Sequence, residues 1–264
     1  MPEVTGRRVK LSPPRAWVGD LMHACRGVPL VSFERSMDVS AVAAARAKVP
    51  ARPAWSLLLA KAFGIASAAR PDLRRAYVGF PRPHLYEADY PIASVAVERE
   101  YAGEPAVFFA LIAAPERVSL VELAGRLHRW KTAPVETIRT FQRLTRLAKW
   151  PRPVRRLAWR YAMDASGARR ARVFGTFGVS TTGGYGATGL TLLSPLAATL
   201  NTGPLSADGR LPVRLHFDHR VLDGGPAARA LADVEAALRG PILSELRQMA
   251  DTRGAGVKAV RVVD

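Results

Sequence analysis

The stretch 211–238 constrains the fold more than any other part of the 264-residue chain. Residues 211–217 are apolar and β-prone, and residues 226–238 form an alanine-rich helical run. Between them lies Asp218-His219-Arg220-Val221-Leu222-Asp223-Gly224-Gly225. A strand must therefore give way to a helix within a few residues, and the paired glycines let the backbone fold back without a Cβ clash. His219 and Asp223, four apart, come onto one tight turn, which makes the imidazole and the carboxylate candidate catalytic groups.

The chain is 48% hydrophobic and 23% charged, enough to bury a large core in one big domain or two small ones. It has no run of eighteen uncharged apolar residues. Residues 1–10 carry charges with no apolar segment behind them, so neither a spanning helix nor a signal peptide is expected and a cytoplasmic location is the default. The single cysteine, Cys25, cannot form an internal disulfide and reads as a small buried side chain. His23, His84 and His128 lack acidic or cysteine partners at ligand spacing, so no metal site is expected.

Local patterns predict the order of elements. Ser12-Pro13-Pro14 opens a helix through Cys25, residues 28–39 alternate as a strand, and an alanine-rich helix runs to Lys48. Residues 54–69 form an apolar core helix. Pro81 and Pro83 restrict 77–86 to an edge strand or loop, while 92–100 and 106–113 read as a hairpin of inner strands. Ser119 with Glu122 three residues on marks a capping box for a helix toward Trp130. Residues 172–180 form a glycine-laced strand, followed by short strands at 190–193, 197–202 and 211–217. Strands and helices alternate without a βαβ period, which predicts an α/β (α+β) sandwich with a mixed β-sheet flanked by helices.

Two features stand apart. The net charge is +17, which suits nucleic acid, an anionic membrane surface or a nucleotide-bearing coenzyme as partner, although arginine-rich composition alone also raises it. Much of that charge lies in a basic helical segment, 136–172. Within 143–172, Arg143, Arg146, Lys149, Arg152, Arg155, Arg156, Arg160, Arg169, Arg170 and Arg172 stand against a single acid, Asp164, with Trp150 and Trp159 interleaved and a kink at Pro151 and Pro153. Such a stretch either packs its apolar side on the domain with solvated arginines or docks on lipid headgroups, and a membrane surface fits it better than nucleic acid.

Three landmarks in order resemble one family, the catalytic domains of the dihydrolipoamide acyltransferases of 2-oxoacid dehydrogenase complexes, which share their fold with chloramphenicol acetyltransferase. Phe217 to Gly224 is similar to the family's DHRVxDG signature, and Phe174 to Ser180 to its GTFTxS strand about forty residues upstream. Arg15 to Met22 keeps an arginine and methionine seven apart ahead of a strand ending in Val39-Ser40. The resemblance covers about 11–238. It divides the chain into a basic tail at 1–10, a catalytic domain at 11–250 with the basic insert at 136–172, and a tail at 251–264.

What the resemblance implies is an acyltransferase working with coenzyme A or acyl-CoA as substrate. The acceptor is a thiol of the dihydrolipoamide kind, a hydroxyl or an amine, small or carrier-borne. It implies homotrimers or multiples of trimers with each active site between two subunits. His219 is then the general base and Ser180 the hydroxyl that stabilises the oxyanion, with Thr181 and Thr182 as neighbouring candidates. Asp223 pairs with Arg15 to hold the turn, and His216 is structural. Before residue 11 there is no lipoyl domain, so no lipoyl group is expected on this chain. Residues 98–105 lack the family's DGLVVPV sequence, and the insert replaces a shorter segment. The other readings are a non-catalytic trimeric scaffold that keeps the turn for folding, or a binder of anionic surfaces acting through the insert.

Overall fold

The computed structural model describes residues 4–259, with side chains to 251. Ser12 caps α1 (Pro13–Cys25), accepting from the Arg15 amide at 3.3 Å, and the prolines take first-turn positions whose N–H groups have no helical partner. After β1 (Leu30–Asp38) and α2 (Ser40–Lys48) comes α3 (Trp55–Ala69), whose Leu57, Leu58, Leu59, Ala62 and Phe63 are all fully buried. A helix apolar on every side has to sit inside the core.

The proline-bearing stretch forms a separate ribbon, β2 (Arg75–Val78) against β3 (His84–Glu87), with Pro81 and Pro83 in the turn. β4 (Ile92–Tyr101) and β5 (Glu104–Ala113) make the expected hairpin around Ala102 and Gly103, both left-handed at φ 56° and 78°. β5 is not an inner strand, however, but the outer edge of the sheet. Its run is apolar throughout because both faces are covered: Phe108 points into the core, and Phe109 packs under the basic insert. In α4 (Leu120–Thr132) the Ser119 hydroxyl accepts from the Glu122 amide at 3.2 Å. The Glu122 carboxylate turns instead to Arg126, so only half of the capping box forms.

The insert folds as three helices, α5 (Arg139–Ala148), α6 (Arg152–Asp164) and α7 (Gly167–Phe174). They pack on α1 and β5: Phe141 meets Phe108 with ring centroids 4.6 Å apart, and Trp159 and Met163 join Leu21 and Cys25 in a second small core. Trp150, Leu157 and Tyr161 remain exposed beside the arginines. Residues 172–174, expected at the start of a strand, belong to α7 instead. Ser166 caps its start and Gly175, at φ 89°, ends it in a conformation that disfavours a side chain.

β6 (Phe177–Thr181), β7 (Ala198–Thr202), β8 (Arg210–Asp218) and α8 (Gly224–Ala237) follow, then α9 (Leu243–Ala259). Residues 190–193 form no strand; they run in an irregular loop across the sheet. α9 continues past 250, where a tail was expected, and residues 1–3 and 260–264 of the expected tails lie outside the described residues.

The main sheet has the order β1-β8-β7-β6-β4-β5, parallel at β4/β6 and β6/β7 and antiparallel elsewhere, which is the mixed sheet expected. One pleated face, with Val95, Val179, Leu200, Leu215 and Phe217, packs against α3 and α8. The opposite face is polar over β1, β8, β7 and β6. Registers place Glu34, Arg214, Asn201 and Ser180 in one row across it, and Ser32, His216, Thr199 and Gly178 in the next.

Candidate active site

His219 stands where β8 ends. Its amide donates to the Pro29 carbonyl at 3.0 Å, and the Asp218 carbonyl accepts from the Val221 and Leu222 amides, so backbone hydrogen bonds close the turn. The His219 Nδ1 lies 3.1 Å from the Leu222 carbonyl oxygen. A carbonyl can only accept, so in the neutral ring Nδ1 carries the proton and Nε2 keeps its lone pair. With the side chain 49% exposed, the imidazole is open to a ligand.

Asp223 Oδ1 is 3.6 Å from the same Nδ1 and its side chain is 85% exposed. Arg15 does not reach it. The Arg15 guanidinium sits 3.7 Å from Glu104, which opens β5, four strands from β8 and hence about 19 Å across the sheet. The helix accounts for the separation: α1 is thirteen residues, about 20 Å, long, and its far end, not its start, leads to the His219 turn.

The pair that does hold the turn is Asp218 with Arg220. Asp218 is fully buried and accepts from Arg220 Nε at 2.9 Å, Nη2 at 2.7 Å and the backbone amide at 3.0 Å, a forked contact that fixes geometry. That bond holds the Arg220 guanidinium above the ordinary arginine range, and its carbon lies 4.1 Å from the Tyr77 ring centre. Behind it Arg170, 2% exposed, donates to the carbonyls of Tyr77 and Pro195. Burial pulls its guanidinium below the usual range, while Asp218 and Asp164 oppose the shift. By charge alone Arg170 is indistinguishable from the other basic side chains of the insert. The spacing Gly167, Arg170, Ala171, Phe174 marks one face of a helix and could have found it. Arg156, Arg160, Arg170 and Arg220, together with Asp20 and Asp164, line a hollow of about 480 Å³ beside the turn.

Ser180 is elsewhere. Its register runs Ser180 to Asn201 to Arg214, and Arg214 precedes His219 by five residues, so the two side chains are separated by about 17 Å along the sheet. Among the described residues the Ser180 hydroxyl has no hydrogen-bond partner, whereas Thr182 donates to Ala187 at 2.9 Å. Ser180, and neither Thr181 nor Thr182, lines a cavity of about 350 Å³ between the polar face of the sheet and α1, α5, α6 and α7. His216 is buried beneath the neighbouring row, its Nδ1 2.7 Å from Ser32 Oγ. Burial, with Arg214 adding, lowers its pKa and keeps it neutral. Burial pushes the Cys25 thiol up to about 12, against a smaller opposing pull from Arg170, so it is no thiolate nucleophile. Among the described residues no three His, Cys, Asp or Glu side chains converge as metal ligands, and no helix is long and apolar enough to cross a membrane.

No family model matches the chain, and no curated protein matches its sequence. Solved structures do. The cubic core of the pyruvate dehydrogenase multienzyme complex superposes with a TM-score of 0.62 at 21% identity, covering 93% of this chain and 98% of that one. The same score and coverages, at 20% identity, are found for the dihydrolipoamide acetyltransferase of Azotobacter vinelandii, in a structure on the role of a serine, a histidine and an asparagine in its catalytic mechanism. Chloramphenicol acetyltransferase covers 83% of this chain and 94% of its own at 16% identity and a TM-score of 0.50. The chain therefore has the mixed-sheet fold of the 2-oxoacid dehydrogenase acyltransferase cores and of chloramphenicol acetyltransferase.

Proposed function

We propose that the protein is an acyltransferase that moves an acyl group between coenzyme A and a thiol, hydroxyl or amine acceptor. His219 Nε2 takes the acceptor proton as its S, O or N bonds to the thioester carbonyl carbon, and the Ser180 hydroxyl donates to the resulting oxyanion. When that intermediate collapses, the carbon–sulfur bond breaks and the imidazolium returns the proton to the coenzyme thiolate, leaving the enzyme unchanged. Asp223 lies against the ring that becomes positive. Arginines beside the turn and the net charge of +17 favour the coenzyme's phosphates.

The observation that carries this reading is the contact of His219 Nδ1 with the Leu222 carbonyl, which leaves Nε2 as an exposed base. The Azotobacter structure concerns a histidine and an asparagine spaced four apart, as His219 and Asp223 are. Because Ser180 and His219 of one chain are too far apart to share a carbonyl, the site is completed by a second copy in a trimer or a multiple of trimers, the cubic core of a structural neighbour being such an assembly in kind. The test is transfer from acetyl-CoA to dihydrolipoamide, alcohols and amines, with free coenzyme A read by chromatography. His219→Ala should lower turnover by about 10²- to 10⁴-fold. Equal turnover in both proteins, or none in either, overturns the reading and leaves a scaffold.

A further inference from the structure

The cavity that holds Ser180 is walled by apolar side chains, among them Phe109 from β5, Leu144 and Leu147 from α5, Trp159 from α6 and Phe174 from α7. Four of these five belong to the basic insert or the helix that ends it, so the segment whose charge dominated the sequence contributes its apolar side to a roof. Among its lining residues Val107, Arg143, Val173 and Leu193 are exposed.

Resting on the acyl-transfer reading, we infer that this cavity is an acyl-chain pocket and that the preferred donor carries an aliphatic chain of roughly ten carbons. The size follows from comparison: a cavity of ~150 Å³ lined by Leu, Ile and Phe holds benzene, and this one is more than twice that volume. The chemistry follows from a wall that is mostly apolar, its few polar side chains being Ser94, Thr140, Arg143, Ser180, Ser194 and Thr199. An amide-bearing arm, such as pantetheine or lipoamide, would bring polar groups needing partners, whereas the Ser194 and Thr199 hydroxyls are bonded to each other at 2.8 Å and Ser194 also accepts from the Leu196 amide. A methylene chain needs none. The placement follows from Ser180: a thioester carbonyl at its free hydroxyl puts the chain into the cavity and the sulfur outside.

The test pairs binding with turnover. Sodium decanoate, with butyrate as control, is titrated calorimetrically into the wild-type protein, His219→Ala and the cavity-filling variant Ala162→Phe. Acetyl-, hexanoyl-, decanoyl- and palmitoyl-CoA are compared as donors in wild type, Ala162→Phe and the cavity-enlarging Leu147→Ala. Decanoate should bind wild type and His219→Ala alike and with a negative heat-capacity change, butyrate at least tenfold more weakly. kcat/KM should rise about fourfold per added methylene and level off near ten carbons. Ala162→Phe should lower the decanoyl-to-acetyl ratio at least tenfold, and Leu147→Ala should move the optimum to longer chains. Should Ala162→Phe fail to fold, Leu147→Ala carries the test alone. Decanoate binding without turnover of any donor would keep the pocket and remove the transferase. Turnover without decanoate binding, at equal rates for acetyl and decanoyl, would do the reverse. A cavity closed to decanoate by a neighbouring copy overturns the inference.

Discussion

If Ser180 and His219 serve one carbonyl from two chains, two inactive variants should restore activity when mixed. The separation within a chain, about 17 Å along the strand and about 10 Å across two strands, rests on the register Ser180 to Asn201 to Arg214 and the five residues from Arg214 to His219. Each site in a head-to-tail ring takes Ser180 from one protomer and His219 from the next. Ser180→Ala should fall by about 10²- to 10³-fold, the cost of one oxyanion donor, and His219→Ala by about 10²- to 10⁴-fold. Unfolded and refolded together at equal amounts, half the protomers have an intact serine and half an intact histidine, so about one site in four has both. The mixture should reach about a quarter of wild-type turnover, at least tenfold above either parent. The assay is release of coenzyme A, with equal refolded yield checked by size in solution. A mixture no more active than the mean of its parents refutes the shared site, and the account of the register with it.

Two further outcomes follow from buried groups. Replacing Arg220 with Leu leaves the fully buried Asp218 carboxylate without its fork and should cost about 3–5 kcal/mol in chemical denaturation; a loss under about 1 kcal/mol would mean that Arg170 compensates. His216 is held neutral by burial, so its folded pKa lies below the ordinary unfolded value of about 6.5. Below that value the unfolded chain binds a proton that the native protein does not, so the His216 contribution is present above about pH 6.5 and is lost as pH falls, at up to about 1.4 kcal/mol per pH unit. His216→Gln should flatten that acid limb in denaturation measured at pH 7.5 and 5, and equal slopes in the two proteins would contradict it.

The fold was legible where a local signal and its burial agree. Ser12 and Ser119 cap the helices their patterns announced, and 54–69 is the buried helix its unbroken apolarity required. Misreadings came from packing partners far away in sequence. Residues 106–113 looked like an inner strand because an apolar run does not say whether a second face is covered by strands or, as on β5, by helices. Residues 190–193 are apolar enough for a strand, but Leu192 and Leu193 face a cavity and Leu190 is exposed. Motif and spacing nominate His219, Asp223 and Ser180 as candidates, but do not show that the register separates Ser180 from the other two. Arg170 could not be separated from nine other basic side chains by charge, since its burial depends on the carbonyls of Tyr77 and Pro195, 93 and 25 positions away.

The exchange of Arg15 for Arg220 as the support of the turn changes what Asp223 does. A carboxylate locked in a buried ion pair would act only by holding shape. Here shape is held one turn earlier, by Asp218 buried against Arg220, and the Nδ1 proton is directed by the Leu222 carbonyl at 3.1 Å, nearer than Asp223 at 3.6 Å. Asp223 stands at the N-terminal end of α8 without a side-chain capping bond, its charge favourable to the helix and, among the described residues, paired with no arginine. Its Coulomb attraction for the ring exists only once the ring is charged. In the proposed mechanism the carbonyl would select the neutral base that begins the reaction, and the carboxylate would favour the imidazolium formed during it, so the two acceptors near one nitrogen would divide the proton transfer between them.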